Sequence, residues 1–403
     1  MTATTTTMQR HRAWRGPAVL SFGFRPFFLL GALWAALAMG LWVAMLAGRL
    51  TLPTAFDPVS WHAHEFLFGY LGAIIAGFLL TAVPNWTGRL PVTGWPLAGL
   101  VAAWLAGRVA VTVSQDLPPL AVALADLALV AALAVLLGRE IIVGRNWRSL
   151  PVIGLLAVFG FANALFHWDA ASGAYAAQGM GLRLGLAAVL MMIAVIGGRI
   201  VPSFTRNWLT KRGAGRLPTP PMQSFDLAAL GVLLAALLAW VAAPFAPLTG
   251  MALGLAGALH LARMARWAGD RTFAEPLVLV LHLGYVFVPV GALAAAAEIL
   301  GSGWVGAGSA QHLWMAGALG LMTLAVMTRA TLGHTGRALT AGRGTVAIYA
   351  AVICAVLARI GAGAWPGAAS PLHSLSGASW IAAFAGFVAL YGPMLLRPRQ
   401  AAG

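Results

Sequence analysis

The sequence predicts an all-α protein that crosses a membrane twelve times. Of its 403 residues 61% are hydrophobic and only 9% charged, whereas soluble chains carry about a quarter charged residues. Apolar stretches of roughly 20 residues, the length that crosses a bilayer, recur from end to end. The basic residues are also sorted onto alternate connections between those stretches. The spans expected are 27–47, 61–83, 95–113, 118–137, 150–167, 180–204, 225–242, 250–266, 275–299, 310–328, 344–363 and 378–396.

Taken in order, the first span follows a polar, basic segment, Met1 to Pro17, with no apolar core. It is read as part of a cytoplasmic tail (1–26) and not as a cleavable signal peptide. The second opens on Trp61-His62-Ala63-His64-Glu65, followed by 23 uncharged residues from Phe66 to Gly88. The third carries Arg108 in its outer part, and the fourth carries Asp126, the main polar exception near a midplane otherwise poor in such residues. The fifth closes on His167-Trp168-Asp169. The sixth carries Arg183 and ends in Pro202-Ser203-Phe204-Thr205-Arg206-Asn207-Trp208. A Pro-containing stretch, 206–224, then forms a cytoplasmic linker before the seventh and eighth spans. The ninth places Glu275, His282, Tyr285 and Pro289 on one face. The tenth opens on His312, the eleventh carries Cys354 and Arg359, and the twelfth closes the chain. No soluble domain interrupts the series, so 1–403 is read as one integral membrane domain.

With the N-terminus inside, the 25 Lys and Arg residues fall on the cytoplasmic side, except Arg49, Arg108, Arg183 and Arg359. That asymmetry is the positive-inside rule. The formal charge of +15 is therefore a topology signal and argues against a nucleic-acid partner. It points to a lipid bilayer, with both termini cytoplasmic. Cys354 has no second cysteine to pair with, which excludes a Cys-x-x-Cys-His haem attachment, a zinc knuckle and an internal disulfide.

His64 lies 25 residues before Arg89, and His312 lies 25 before Arg337. Both runs end in Thr-Gly-Arg. Because the second, sixth and tenth spans finish in related polar turns, the sequence suggests three pseudo-repeats of four helices. Small residues four apart, as at Gly69, Ala73 and Gly77, let helix backbones approach closely.

Topology places His62, His64, His167, His312 and His373 at or beyond the outer ends of spans. Ionisable groups at membrane depth are costly and usually functional, and imidazole suits iron and copper. These five are the candidate metal ligands, His373 from a Gly/Ser/Pro-rich outer loop. His62 and His64 point about 200° apart on a regular helix, so they cannot share one ion there, and His62 could instead donate to Glu65. Small residues flank His64 and His312, as a flat macrocycle requires. The leading reading is a haem b bound by His64 and His312, with Arg108, Arg183 or Arg359 near its propionates. Glu65, Asp116, Asp169 and Glu298 are alternative partners for those arginines. Glu65, His282 and Tyr285 are the candidate catalytic or proton-conducting groups, the last two on a cytoplasmic path beginning at Glu275. A metal-ion or small-solute transporter, using the same histidines transiently, is the alternative.

Several runs resemble the NnrS family of bacterial membrane proteins. They are Phe24-Arg25-Pro26-Phe27-Phe28; His62-Ala63-His64-Glu65 with Gly77 to Gly88; Leu281-His282-Leu283-Gly284-Tyr285; and Leu324 to Arg337. The resemblance implies twelve helices, haem with copper as a second metal, and a role in the response to nitric oxide and nitrosative stress. Nitric oxide is then the expected ligand, with quinol or a redox protein supplying any electrons for a reductase. A weaker similarity is to haem-copper oxidase subunits, whose low-spin haem is held by histidines on the second and tenth helices. The sixth and seventh spans here lack histidine and Ala310 stands two before His312, so an oxygen-reducing centre of that design is not expected.

Overall fold

A computed structural model describes residues 14–400. Arg10, His11 and Arg12 of the expected tail lie outside the described residues. Among those described, twelve helices are long and apolar enough to cross a membrane and no strand occurs. They are α1 (Phe24–Leu46), α2 (Pro58–Thr87), α3 (Trp95–Thr112), α4 (Pro119–Val143), α5 (Trp147–Ala171), α6 (Met180–Leu209), α7 (Ser224–Ala242), α8 (Pro247–Ala265), α9 (Pro276–Ile299), α10 (Ala307–His334), α11 (Arg343–Ala364) and α12 (Pro366–Leu396). The protein is a multi-pass all-α membrane protein.

Several spans outrun the apolar stretches that predict them, because polar residues at their ends bond back to their own helix or to a neighbouring one. Asn85 donates to the Thr81 carbonyl at 3.0 Å and Thr87 to that of Val83 at 2.9 Å, so α2 continues past Pro84 until Gly88 ends it in the left-handed region at φ 69°. The expected outer loop around His373 is instead the first part of α12. Ser374 donates to the Ser370 carbonyl and Ser376 to that of Ala355, which lets a Ser-rich stretch run as helix. At the other end of α2, Asp57 accepts from the Val59 and Ser60 amides at 3.0 Å, ahead of Pro58 at the first helical position.

Three of these helices contain a turn wider than α geometry. Glu65–Tyr70 in α2, Ile193–Gly197 in α6 and Leu313–Leu321 in α10 are π-helical, and these are the three most buried spans. They are also the second, sixth and tenth, the set whose ends look related in sequence. His64 and His312 each stand immediately before the π segment of their span. Such widened turns are rare and concentrate at functional sites.

The chain divides into two compact units. One comprises Met1–Gly185, Ala330–Arg337 and Phe387–Gly403; the other Leu186–Arg329 and Ala338–Gly386. In the first, Gly77 of α2 sits where a Cβ would meet Phe27 Cβ and the Phe28 ring at 3.0 Å, so α1 lies close against α2. Arg25, 3% exposed, donates to the carbonyls of Leu395 and Arg397 at 2.9 and 2.7 Å and thereby caps the end of α12. In the second unit, Trp314 fills the space left by Gly291, donates to the Val288 carbonyl at 2.9 Å and meets Trp240 edge to face. There the linker is fastened down: Arg206 donates to Pro218 and the Thr219 amide to the Arg266 carbonyl. Arg216 bonds to Asp270 and holds that carboxyl below the usual range, but both side chains are more than half exposed, so the pair contributes little to stability.

A buried histidine–carboxylate centre as the candidate functional site

Four helices of the first unit bring six polar side chains together. α2 supplies His64 and Glu65, α3 Arg108, α4 Asp126, and α5 Asn163 and His167. His64 and Glu65 are 0% exposed and none of the six exceeds 7%. Asn163 and His167, four apart on a regular helix, share a face.

His64 is the hub. Its Nδ1 lies 3.1 Å from Glu65 Oε1, and its Nε2 lies 3.1 Å from both Asp126 Oδ2 and Asn163 Oδ1. His167 Nε2 reaches the same Asp126 oxygen at 3.0 Å, and Asn163 Nδ2 donates to it at 2.7 Å. Arg108 clamps the carboxylates, donating to Glu65 Oε1 at 2.6 Å and to Asp126 Oδ1. Trp34 Nε1 donates to Glu65 Oε2 at 2.7 Å. An aromatic wall of Phe56, Phe68 and Phe166 stands within 5.5 Å of the His64 ring, centroid to centroid. One donor atom each from His64, Asp126 and His167 lies within 4.8 Å of the others, close enough to hold a metal ion.

Glycine makes the approach possible. A Cβ on Gly69 would collide with Arg108 Nη1 and lie 2.7 Å from Glu65 Oε2, while one on Gly107 would lie 2.9 Å from the Asp126 backbone. Gly69, expected as a helix-packing residue, thus makes room for the ion pair. Gly69→Ala is expected to destabilise the protein by about 1–3 kcal/mol through overpacking. Gly72→Ala, with open space where its Cβ would stand, is expected to be near neutral. Thermal unfolding in detergent checks the contrast, and equal melting temperatures would contradict it.

A second buried cluster lies in the other unit. His260 Nε2 is 3.2 Å from the Ala229 carbonyl, which can only accept, so Nε2 carries the proton and Nδ1 accepts from the Tyr285 hydroxyl at 2.9 Å. The Tyr285 oxygen in turn accepts from Arg263 Nη1 at 2.9 Å, and Arg263 Nε donates to Asp226 at 2.8 Å. His282 bonds instead to Thr205 Oγ1 at 2.8 Å, and Glu275 accepts from the Leu277 and Ala341 amides as a helix cap and clamp. The face of α9 expected to form a path from Glu275 through His282 to Tyr285 is therefore divided among three separate sets of partners.

The remaining candidates are dispersed. His62 stacks on Trp42, with ring centroids 4.6 Å apart, while Glu65 turns to His64 and Arg108. Arg108, expected beside haem propionates, is occupied by Glu65 and by Asp126, a partner the sequence reading did not assign. Arg183 donates to the Gln178 carbonyl and Arg359 to Ser309 Oγ. Glu298 accepts from the amides of Val305 and Gly306. His312 Nδ1 lies 2.6 Å from the Gly308 carbonyl. His373 is half-buried on α12. His64 and His167 come together, whereas His312 and His373 belong to the other unit.

The profile described as NnrS protein matches residues 18–399 of the 403-residue chain. The chain belongs to the NnrS family. Among curated proteins none gives a significant match. Two of the runs that carried the NnrS resemblance now have structural meaning. The His62–Glu65 run supplies the hub and first carboxylate of the buried centre, and the Leu281–Tyr285 run supplies the hydroxyl of the second cluster.

Proposed function

We propose that this NnrS-family chain is a bacterial inner-membrane protein of the nitric oxide response. In this reading it binds haem b, with copper as a second metal, and binds or detoxifies nitric oxide. The observation that supports haem is the setting of His312. Its Nδ1 must donate to the Gly308 carbonyl, which leaves the Nε2 lone pair for iron. A metal-bound histidine characteristically anchors its other nitrogen in this way. Arg359, on a helix packed against this end of α10 and bonded to Ser309, is a cation suited to a propionate. His64 fits the role of haem ligand less well, because protein oxygens 3.1 Å away already face both its ring nitrogens. Haem would supply an iron position able to take a diatomic gas, and electrons for any turnover would come from quinol or a partner protein.

Protein purified from haem-supplied cells is expected to show a Soret band. That band should fall at least fivefold in His312→Ala and persist in His334→Ala, whose ring packs on Phe22 and Phe24. No Soret band in the parent protein, or full haem retention in His312→Ala, would overturn the assignment. Anaerobic mixing of the reduced protein with nitric oxide, followed by gas analysis, separates binding from turnover: steady nitrous oxide production marks a reductase.

A further inference from the structure

The polar centre of the first unit contains more acceptors than its donors can serve. His64 Nδ1 faces a Glu65 oxygen, and Nε2 faces one oxygen each of Asp126 and Asn163. The Asn163 amide nitrogen is already committed to Asp126, so the oxygen it turns to His64 is an acceptor. A neutral imidazole has a single N–H. Whichever nitrogen carries it, the other directs a lone pair at oxygen lone pairs about 3 Å away. Charge tells the same story, since two carboxylates surround the one guanidinium of Arg108. A further positive charge between the ring and the two carboxylates balances the centre.

We propose that His64 Nε2, His167 Nε2 and Asp126 Oδ2 bind one first-row transition-metal ion. The three donors are contributed by different helices and lie within 4.8 Å of one another. The two nitrogens flank the shared oxygen at 3.1 and 3.0 Å, close to the spacing of neighbouring donors around a small ion with bonds of about 2.0–2.2 Å. With the metal at Nε2, His64 donates its Nδ1–H to Glu65. That is the carboxylate–histidine–metal arrangement that fixes tautomer and ring orientation. Arg108 holds both supports, Glu65 through Oε1 and the non-ligating Oδ1 of Asp126. Imidazole and carboxylate with no sulfur select iron, copper or zinc over calcium or magnesium, which require more oxygens. A monovalent ion leaves the centre neutral. A divalent ion leaves one positive charge and calls for an anionic co-ligand, a difference that bears on which metal stays bound at membrane depth.

This inference deepens the metalloprotein reading by naming the place of a second metal, but it does not depend on haem. Full-length protein stripped with chelator is titrated in parallel with cuprous, zinc and ferrous ions, haem iron being determined separately from the optical spectrum. One tightly held ion per chain is expected for at least one metal. X-ray absorption at its edge should show two imidazoles with oxygen neighbours and no sulfur. His167→Gln, whose amide can still donate to Asp126, should weaken that metal at least tenfold, while haem content and the melting temperature of the chelator-stripped protein stay at parental values. Substoichiometric binding of all three metals overturns the proposal and leaves an imidazolium at His64 to balance the cluster. So does a ligand set with sulfur or with fewer than two imidazoles, or parental affinity in His167→Gln. Loss of haem with the ion retained would remove the haem reading alone.

Discussion

Arg108→Gln is expected to lower stability by about 3–5 kcal/mol, the usual consequence of removing one partner from a buried ion pair. The guanidinium is 3% exposed and serves both Glu65 and Asp126, so its loss strands two carboxylates where water cannot reach them. Against a total stability of about 5–15 kcal/mol for a typical folded protein, much of the variant should fail to accumulate or should aggregate in detergent. The double variant Arg108→Gln with Glu65→Gln should recover part of the loss, because one stranded charge has gone. The readout is yield and thermal unfolding by fluorescence-detected size exclusion. A single variant as stable as the parent would mean that the pair contributes nothing and that the clamp is misjudged.

In the second unit, Asp226→Ala is expected to have an effect of comparable size. Arg263 is fully buried and its carboxylate partner is Asp226; Arg266 lies 3.9 Å from the same oxygen. Without Asp226 two guanidinium groups face each other across a site with no anion, and the Gln223 amide also loses its cap. Tyr285→Phe is a milder probe of the cluster, worth about 1–3 kcal/mol, since it leaves His260 Nδ1 without its donor. If Asp226→Ala melts no lower than Tyr285→Phe, the ion pair is not the element that holds this cluster together.

The fold class was legible because hydropathy and charge placement are local properties. Each apolar stretch can be recognised without knowing its neighbour, and all twelve are present. Their ends were less legible. Whether Thr87 or Ser376 continues a helix depends on a carbonyl within reach, and composition does not record that. The candidate centre was half legible. His64, Glu65, Arg108 and His167 were each singled out as ionisable groups at membrane depth, but under separate roles. Their convergence rests on contacts between residues 62 and 99 positions apart, set by how α4 and α5 pack. In sequence Asp126 stands as an isolated carboxylate, and the one signal for Asn163 is its spacing from His167 on one helical face. From sequence His260 and Arg263 read only as groups toward the cytoplasmic side, and Asp226 carries no signal, for a similar reason. The first two stand three apart on α8, a pattern that became informative only once Tyr285 and Asp226 lay against them.

The π segment of α2 has a further meaning for the phase of the helix. Side chains along an α-helix advance about 100° per residue, so the face that Ala73 and Gly77 present also dictates where every earlier residue of a regular helix points. A widened run between residues 65 and 70 breaks that dictation, and α10 places its own break directly after His312. The later turns can then be selected for close backbone contact while the first turn is rotated to suit its chemistry. Packing and chemistry can thus drift separately within a single membrane span.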